Sequence, residues 1–108
     1  TSKFFNRKGV KEVLVWFIYD ISKNKNRNKL IKLAQEYGLY RVQKSVFLGD
    51  VEMNLLDEIT LQSEEIINKD TDSVYIFPMC KKDFQSAIFQ GQAFDKELIT
   101  DEIRAFFM

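Results

Sequence analysis

The chain has 108 residues, 45% of them apolar and ten of them phenylalanine, so it is long enough for one domain with a real hydrophobic core. It has no histidine and one cysteine, which excludes Ser-His and Cys-His catalysis, the usual zinc sites, an internal disulfide and Cys-cluster metal centres. Sixteen Lys/Arg balance sixteen Asp/Glu, so the chain is no generic polycation.

Any hydrolytic chemistry must therefore lean on carboxylates with a hard cation, or on Lys, Tyr or Ser. Cysteine usage predicts a reducing, cytoplasmic setting. No secretory apolar region and no apolar run of about 18 residues is present, so no membrane span or membrane partner is expected. The charge is unevenly spread: residues 1–44 carry eleven Lys/Arg against three Asp/Glu, whereas residues 50–72 are rich in acids. Such a split can build one face that attracts polyanions and another that repels them, or can reflect ordinary solvated helix faces.

Residues 1–11 are basic, include Gly9 and read as an N-terminal extension to a single domain over 12–108. Residues 13–20 (VLVWFIYD) form an almost wholly apolar run that ends on Asp20. Val13, Val15, Phe17 and Tyr19 fall on one face of a strand, and Leu14, Trp16, Ile18 and Asp20 on the other. A strand apolar on both faces is central and covered twice. The segment ISKNKN follows as a turn, with Ser22, Asn24 and Asn26 as turn or N-cap residues. Leu30, Leu33, Ala34 and Tyr37 repeat at helical spacing, and Gly38 is placed to stop that helix.

Residues 40–49 (YRVQKSVFLG) read as a second strand, bent or bulged near Lys44 and Ser45, with Asp50 as N-cap of a second helix. Leu55, Leu56, Ile59, Ile66 and Ile67 mark the buried side of that helix, and Glu52, Asp57, Glu58, Glu64 and Glu65 the wet side. Residues 73–80 (SVYIFPMC) form a third strand, apolar on both faces, with Pro78 near its end. Residues 84–89 are a weaker edge strand, and residues 103–108 (IRAFFM) a terminal strand or a short helix, with the aromatic content favouring a strand.

The expected order is β-α-β-α-β-β, an α+β fold with an antiparallel-rich sheet. It is ferredoxin-like if the first and third strands are the central pair, with both helices on one sheet face. The second face of those strands is also apolar, and a second copy of the chain is the economical cover.

Asp20 is the first candidate group. It is either a structural cap for the following turn or a functional carboxylate. On a two-fold axis it would meet its symmetry mate, and two close carboxylates need a shared proton or a cation such as Mg²⁺ or Mn²⁺. Lys23, Lys25, Arg27 and Lys29 place four cations at a turn entering a helix N-terminus, with Arg41 and Lys44 on the next strand. They read as a phosphate-contacting surface or as a solvated loop. Tyr19, Tyr40 and Phe47 lie near those cations as base-stacking candidates or as core aromatics. Cys80 is expected to be a buried thiol without chemistry.

The series Tyr19-Asp20-Ile21-Ser22, Arg27-Asn28-Lys29, Tyr37-Gly38-Leu39 and Arg41-Val42-Gln43-Lys44-Ser45-Val46-Phe47-Leu48-Gly49, with Asp72-Ser73-Val74-Tyr75-Ile76-Phe77, resembles CRISPR-associated protein two. That family is the small dimeric subunit of the CRISPR spacer-acquisition complex, and the likeness spans about residues 12–80. The resemblance implies a ferredoxin-like homodimer whose sheets face each other, with the terminal strand near 103–107 adding to the partner's sheet. It implies Asp20 as an interfacial Mg²⁺ ligand for endonuclease action on RNA or DNA. It also implies Arg27, Lys29, Arg41 and Phe47 as nucleic-acid contacts, and a role bridging CRISPR integrase dimers and holding duplex DNA. Two functions follow: a metal-dependent endonuclease, or a non-catalytic scaffold. A ferredoxin-like RNA-binding or regulatory domain is the alternative if the chain is monomeric.

Overall fold

A computed structural model describes residues 11–95. The expected N-terminal extension, apart from Lys11, and the expected terminal strand at 103–108 lie outside the described residues. The order is β1 (Glu12–Asp20), α1 (Asn24–Glu36), β2 (Tyr40–Gln43), β3 (Val46–Glu52), a 3₁₀ turn (Met53–Leu55), α2 (Leu56–Ile66), β4 (Ser73–Met79) and α3 (Lys81–Gln85). The four strands form one sheet in the order β2-β3-β1-β4, with every neighbouring pair antiparallel.

The α+β class is as expected, but the order of elements is β-α-β-β-α-β. The reason lies at Lys44 and Ser45, which make a tight turn where the sequence reading had one bent strand. The turn folds residues 40–52 into a hairpin, so Asp50 sits within β3 and not at a helix N-cap. β3 then takes the place beside β1, and the segment read as the second central strand, β4, becomes an edge. An edge tolerates Pro78, which has no N–H to give to a ladder.

Register assigns the faces. Val13, Val15, Phe17 and Tyr19 share a face with Phe47 and Val51 on β3 and with Val74 and Ile76 on β4. Leu30, Leu33 and Ala34 of α1 and Ile59 of α2 close over this face, and Phe17, Phe47, Leu30 and Ile59 are wholly buried. Each such side chain contributes about 1.5–3 kcal/mol through the area it removes from water. Both helices thus pack on one face, as their apolar spacing implied. α1 stops as Gly38 implied: Gly38, at φ +80°, donates its N–H to Gln35 O while Leu39 donates to Ala34 O. The corner presses on the sheet at Gly49, where an added Cβ would stand 3.2 Å from the Leu39 Cα.

The opposite sheet face carries Leu14, Trp16, Ile18 and Asp20. Here the chain covers part of itself, which the expectation of a bare second face did not include. α3 and the segment to Asp95 lie across Leu14, Val42 and Leu48, bringing Phe84 and Phe94 against them. Trp16 has Phe84 and Phe89 rings each centred 6.0 Å away and donates its indole N–H to Met79 Sδ at 3.3 Å. Asp95 N–H bonds Val42 O at 2.7 Å and the Gln43 amide bonds Ala93 O at 2.6 Å. Residues 84–89 are therefore not an edge strand. A helical turn takes their first amides, with Phe84 N–H on Cys80 O and Ala87 N–H on Phe84 O. Cys80, expected to be buried, is exposed at the start of α3. The uncovered part of this face holds Tyr75 and Phe77, half exposed at 51% and 50%, with rings parallel within 4° and centred 6.1 Å apart.

Candidate nucleic-acid and cation site

Asp20 is the last residue of β1, exposed, opposite Ser73 and on the face that carries Tyr75. Among the described residues its carboxylate has no hydrogen-bond or ion-pair partner. The cap of the turn after β1 is a different acid, Asp72. One Asp72 oxygen accepts from Ser22 N and Ser22 Oγ, both at 3.0 Å, and from Thr71 Oγ1 at 3.1 Å, while the other accepts from Asn68 N at 2.9 Å. These donors hold the Asp72 carboxyl down at about pKa 2, led by the Ser22 and Asn68 backbone amides.

The residues flanking Asp20 are fixed on all sides. Tyr19 N–H bonds Ser45 O at 3.1 Å, and the Tyr19 hydroxyl bonds Lys44 O at 2.8 Å. Arg27 donates to Ile21 O at 2.5 Å and to Asn24 Oδ1. The result is an exposed, unpartnered carboxylate on a backbone that is held before and after it.

The predicted phosphate contacts divide into two groups. Lys23, Lys25, Lys29 and Lys44 are exposed. Lys23 is the N-cap residue of α1, which has no side-chain cap and no acid in its first turn, so its first amides and the nearby ammonium groups can both face an anion. Arg27 and Arg41 are half-buried and committed to backbone: Arg41 places Nε and Nη2 on Lys44 O at 3.2 and 2.8 Å. Both guanidiniums lie near the Tyr19 hydroxyl, where burial raises the phenol's pKa and the two cations pull it back.

Phe47 is corrected outright. It pairs with Phe17, has no exposed surface and sits 6.3 Å from the Tyr19 ring, so no base can stack on it. Tyr19 is likewise enclosed, and Tyr40 is half-buried on the opposite face. The charge split separates adjacent helices rather than opposite sides of the molecule. The acid-bearing α2 touches the end of α1, where the Tyr37 hydroxyl donates to Glu58 at 3.0 Å and accepts from Gln62 at 2.9 Å.

Two further carboxylates take places that local patterning does not show. Asp72 enters the sequence reading only as the first residue of the series 72–77; its signal is that an antiparallel β1–β4 pair sets the residue before β4 against the loop leaving β1. Asp50 lies at the other end of β1, opposite Leu14, with its carboxylate buried and Lys81 Nζ at 3.7 Å. Burial raises its pKa and Lys81 opposes that rise. It borders a cleft of about 430 Å³ with Met53, Pro78 and Cys80, far along the strand from Asp20. No group of three carboxylate or thiol side chains that could hold a metal occurs among the described residues, and no helix among them is long and apolar enough to cross a membrane.

Comparison with known proteins accords with this arrangement. The family model for CRISPR associated protein Cas2 matches residues 13–87. The chain is 35% identical over 71 residues to CRISPR-associated endoribonuclease Cas2 1 of Archaeoglobus fulgidus, covering 66% of this chain and 76% of that protein. It is 31% identical over 87 residues to CRISPR-associated endoribonuclease Cas2 1 of Methanospirillum hungatei, covering 81% and 90%. A crystal structure of Streptococcus pyogenes Cas2 superposes with a TM-score of 0.62 at 28% identity, covering 72% of this chain and 99% of that one. A match over residues 13–87, from β1 through the helix that follows β4, places this chain in the Cas2 family.

Proposed function

We propose that the chain is a CRISPR spacer-acquisition subunit: a ferredoxin-like protomer that forms a sheet-to-sheet homodimer, binds nucleic acid and cleaves RNA or DNA phosphodiesters with Mg²⁺ or Mn²⁺. The observation that carries this reading is the Asp20 carboxylate, exposed and unpartnered on a fixed backbone. Among the described residues of one chain no group of three candidate ligands gathers to hold a cation. A second copy would complete the set: Asp20 shares its face with the exposed Tyr75–Phe77 patch, and a second chain covering that patch about a two-fold axis close to Asp20 would add a second Asp20 carboxylate. A divalent ion held there supplies Lewis-acid polarisation of the phosphoryl oxygen. The remaining steps are the chain's own. Lys23, Lys25, Lys29 and Lys44 hold the backbone of the bound strand, while Arg27 and Arg41 fix the loops that carry them and add positive charge.

The scaffold reading, in which the dimer holds duplex DNA between integrase dimers without cutting it, is favoured by one observation. The titratable side chains nearest Asp20 along the chain and across the turn are already engaged, the Tyr19 hydroxyl on Lys44 O and the Asp72 carboxylate on four donors, so neither is free to serve there as a general acid or base. Labelled single-stranded RNA and duplex DNA, incubated with Mg²⁺ with and without EDTA, separate the two. The nuclease reading expects EDTA-sensitive cleavage that Asp20→Ala abolishes. Equal cleavage by wild type and variant defeats it, and intact duplex binding with no cleavage favours the scaffold.

A further inference from the structure

We propose that Asp72 is the positioning residue for Asp20, holding the carboxylate in its working place through the loop that follows it. This inference rests on the reading of Asp20 as the functional carboxylate. Asp20 ends its strand, and strand ends open first. An exposed group at such a place is ill-suited to chemistry that tolerates only small displacements. Asp72 answers this by reaching past the end of the ladder. It takes the Ser22 amide and hydroxyl on one side and the Asn68 amide and Thr71 hydroxyl on the other, joining the loop after β1 to the loop before β4. Asp20 is thereby enclosed between two fixed points, the Tyr19–Ser45 bond and the Ser22–Asp72 bond.

The four donors are more than a turn needs. A neutral side chain could satisfy the Ser22 amide alone, whereas a carboxylate is needed to accept from both loops with both oxygens. Asp72 is itself buried, and its neighbour Ser73 is the residue opposite Asp20. A shift at Asp72 therefore passes directly to both strands that carry the site.

The test compares Asp72→Ala, Asp72→Asn and Ser22→Ala with wild type, each below its unfolding temperature. Hydrogen exchange at the Ser22 amide reads the tie; kcat and KM for single-stranded RNA cleavage read its use. In Asp72→Ala, Ser22 exchange is expected to rise at least tenfold and kcat to fall by about 10–100-fold, the cost of misplacing a reacting group by up to an ångström. KM is expected to change less than kcat, because Lys25, Lys29 and Lys44 lie beyond the Ser22–Asp72 tie. Asp72→Asn, which keeps one accepting oxygen, falls between. Should Asp72→Ala fail to fold, Ser22→Ala removes only the hydroxyl bond and is expected to lower kcat a few-fold with KM unchanged.

Unchanged Ser22 exchange overturns the tie, and faster exchange with unchanged kcat leaves Asp72 a merely structural cap and overturns the proposal. Asp20→Asn is the companion control. If it cleaves like wild type, the reading of Asp20 is what fails, whatever the Ser22 amide does. If Asp72→Ala loses cleavage while Asp20→Asn does not, Asp72 acts through another group and the proposal fails together with that reading; if Asp20→Asn loses cleavage while Asp72→Ala keeps it, the proposal fails alone.

Discussion

Replacing Phe47 by alanine separates two roles that sequence alone left open. The ring has no exposed surface, stands opposite Phe17 on the neighbouring strand and lies against Tyr19. Truncating it leaves a cavity under α1 and α2 in a sheet whose neighbours are held by their own hydrogen bonds, so little relaxation can fill the gap. The expected loss is about 3–5 kcal/mol of folding stability. In a domain of this size that lowers Tm by about 15–30 °C. A gentler variant, Phe47→Leu, should cost less than about 1.5 kcal/mol and remain folded. Thermal and urea unfolding give the stability, and duplex titration on the folded Leu variant gives the affinity. Core placement expects destabilisation in both variants and affinity within about twofold for Phe47→Leu. A base-stacking Phe47 would instead cost about 1–3 kcal/mol of binding with stability intact. That result would refute the assignment of faces.

The exposed lysines make a different prediction. Removing Lys23, Lys25 and Lys29 together should weaken duplex binding irrespective of sequence and reduce the salt slope by about two to three units, since each phosphate contact contributes about 0.9. Unchanged slope would mean that the loop is only solvated. Tyr75→Ser with Phe77→Ser should leave monomer stability nearly unchanged, because both rings are half exposed, while analytical ultracentrifugation shows the dimer shifting to monomer. A retained dimer places the interface elsewhere. Asp72, held at about pKa 2 against an ordinary 3.8, stabilises the fold above its unfolded pKa, and that stabilisation disappears as pH falls through the folded value. The Tm gap between wild type and Asp72→Asn should therefore close between about pH 4 and 2, and a gap that persists at pH 2 contradicts the four-donor arrangement.

Much of this molecule was legible in its residues. The 13–20 run announced a central strand through apolar residues on both faces, and Gly38 announced a helix stop that the backbone satisfies by two hydrogen bonds. The hairpin at Lys44 and Ser45 was hidden because neither residue is Gly, Asn or Asp, and alternation runs across the turn as if one strand continued. That one slip displaced Asp50 from β3 and misjudged which strands are central. Residues 84–89 misled in the same way: Phe84, Ile88 and Phe89 suit a strand by composition, but their rings find Trp16 without any ladder. Phe47 read two ways because alternation marks sides of a strand without saying which side the helices cover. Position made Asp20 either a cap or a functional carboxylate and only the resemblance implied a metal ligand, whereas Asp72 and the backbone roles of Arg27 and Arg41 depend on contacts 6 to 50 residues apart or across one turn. Local patterning carries no trace of such pairings.

The proposed cation site needs one Asp20 from each of two chains. Wild-type and Asp20→Asn chains, unfolded together, refolded in varied ratio at constant total concentration and assayed for EDTA-sensitive RNA cleavage, test it directly. A shared site expects activity to follow the square of the wild-type fraction, so an equal mixture retains about a quarter of the full rate, as random pairing across a two-fold axis requires. A rate that falls in simple proportion to the wild-type fraction would show each chain working alone and rule out a shared site.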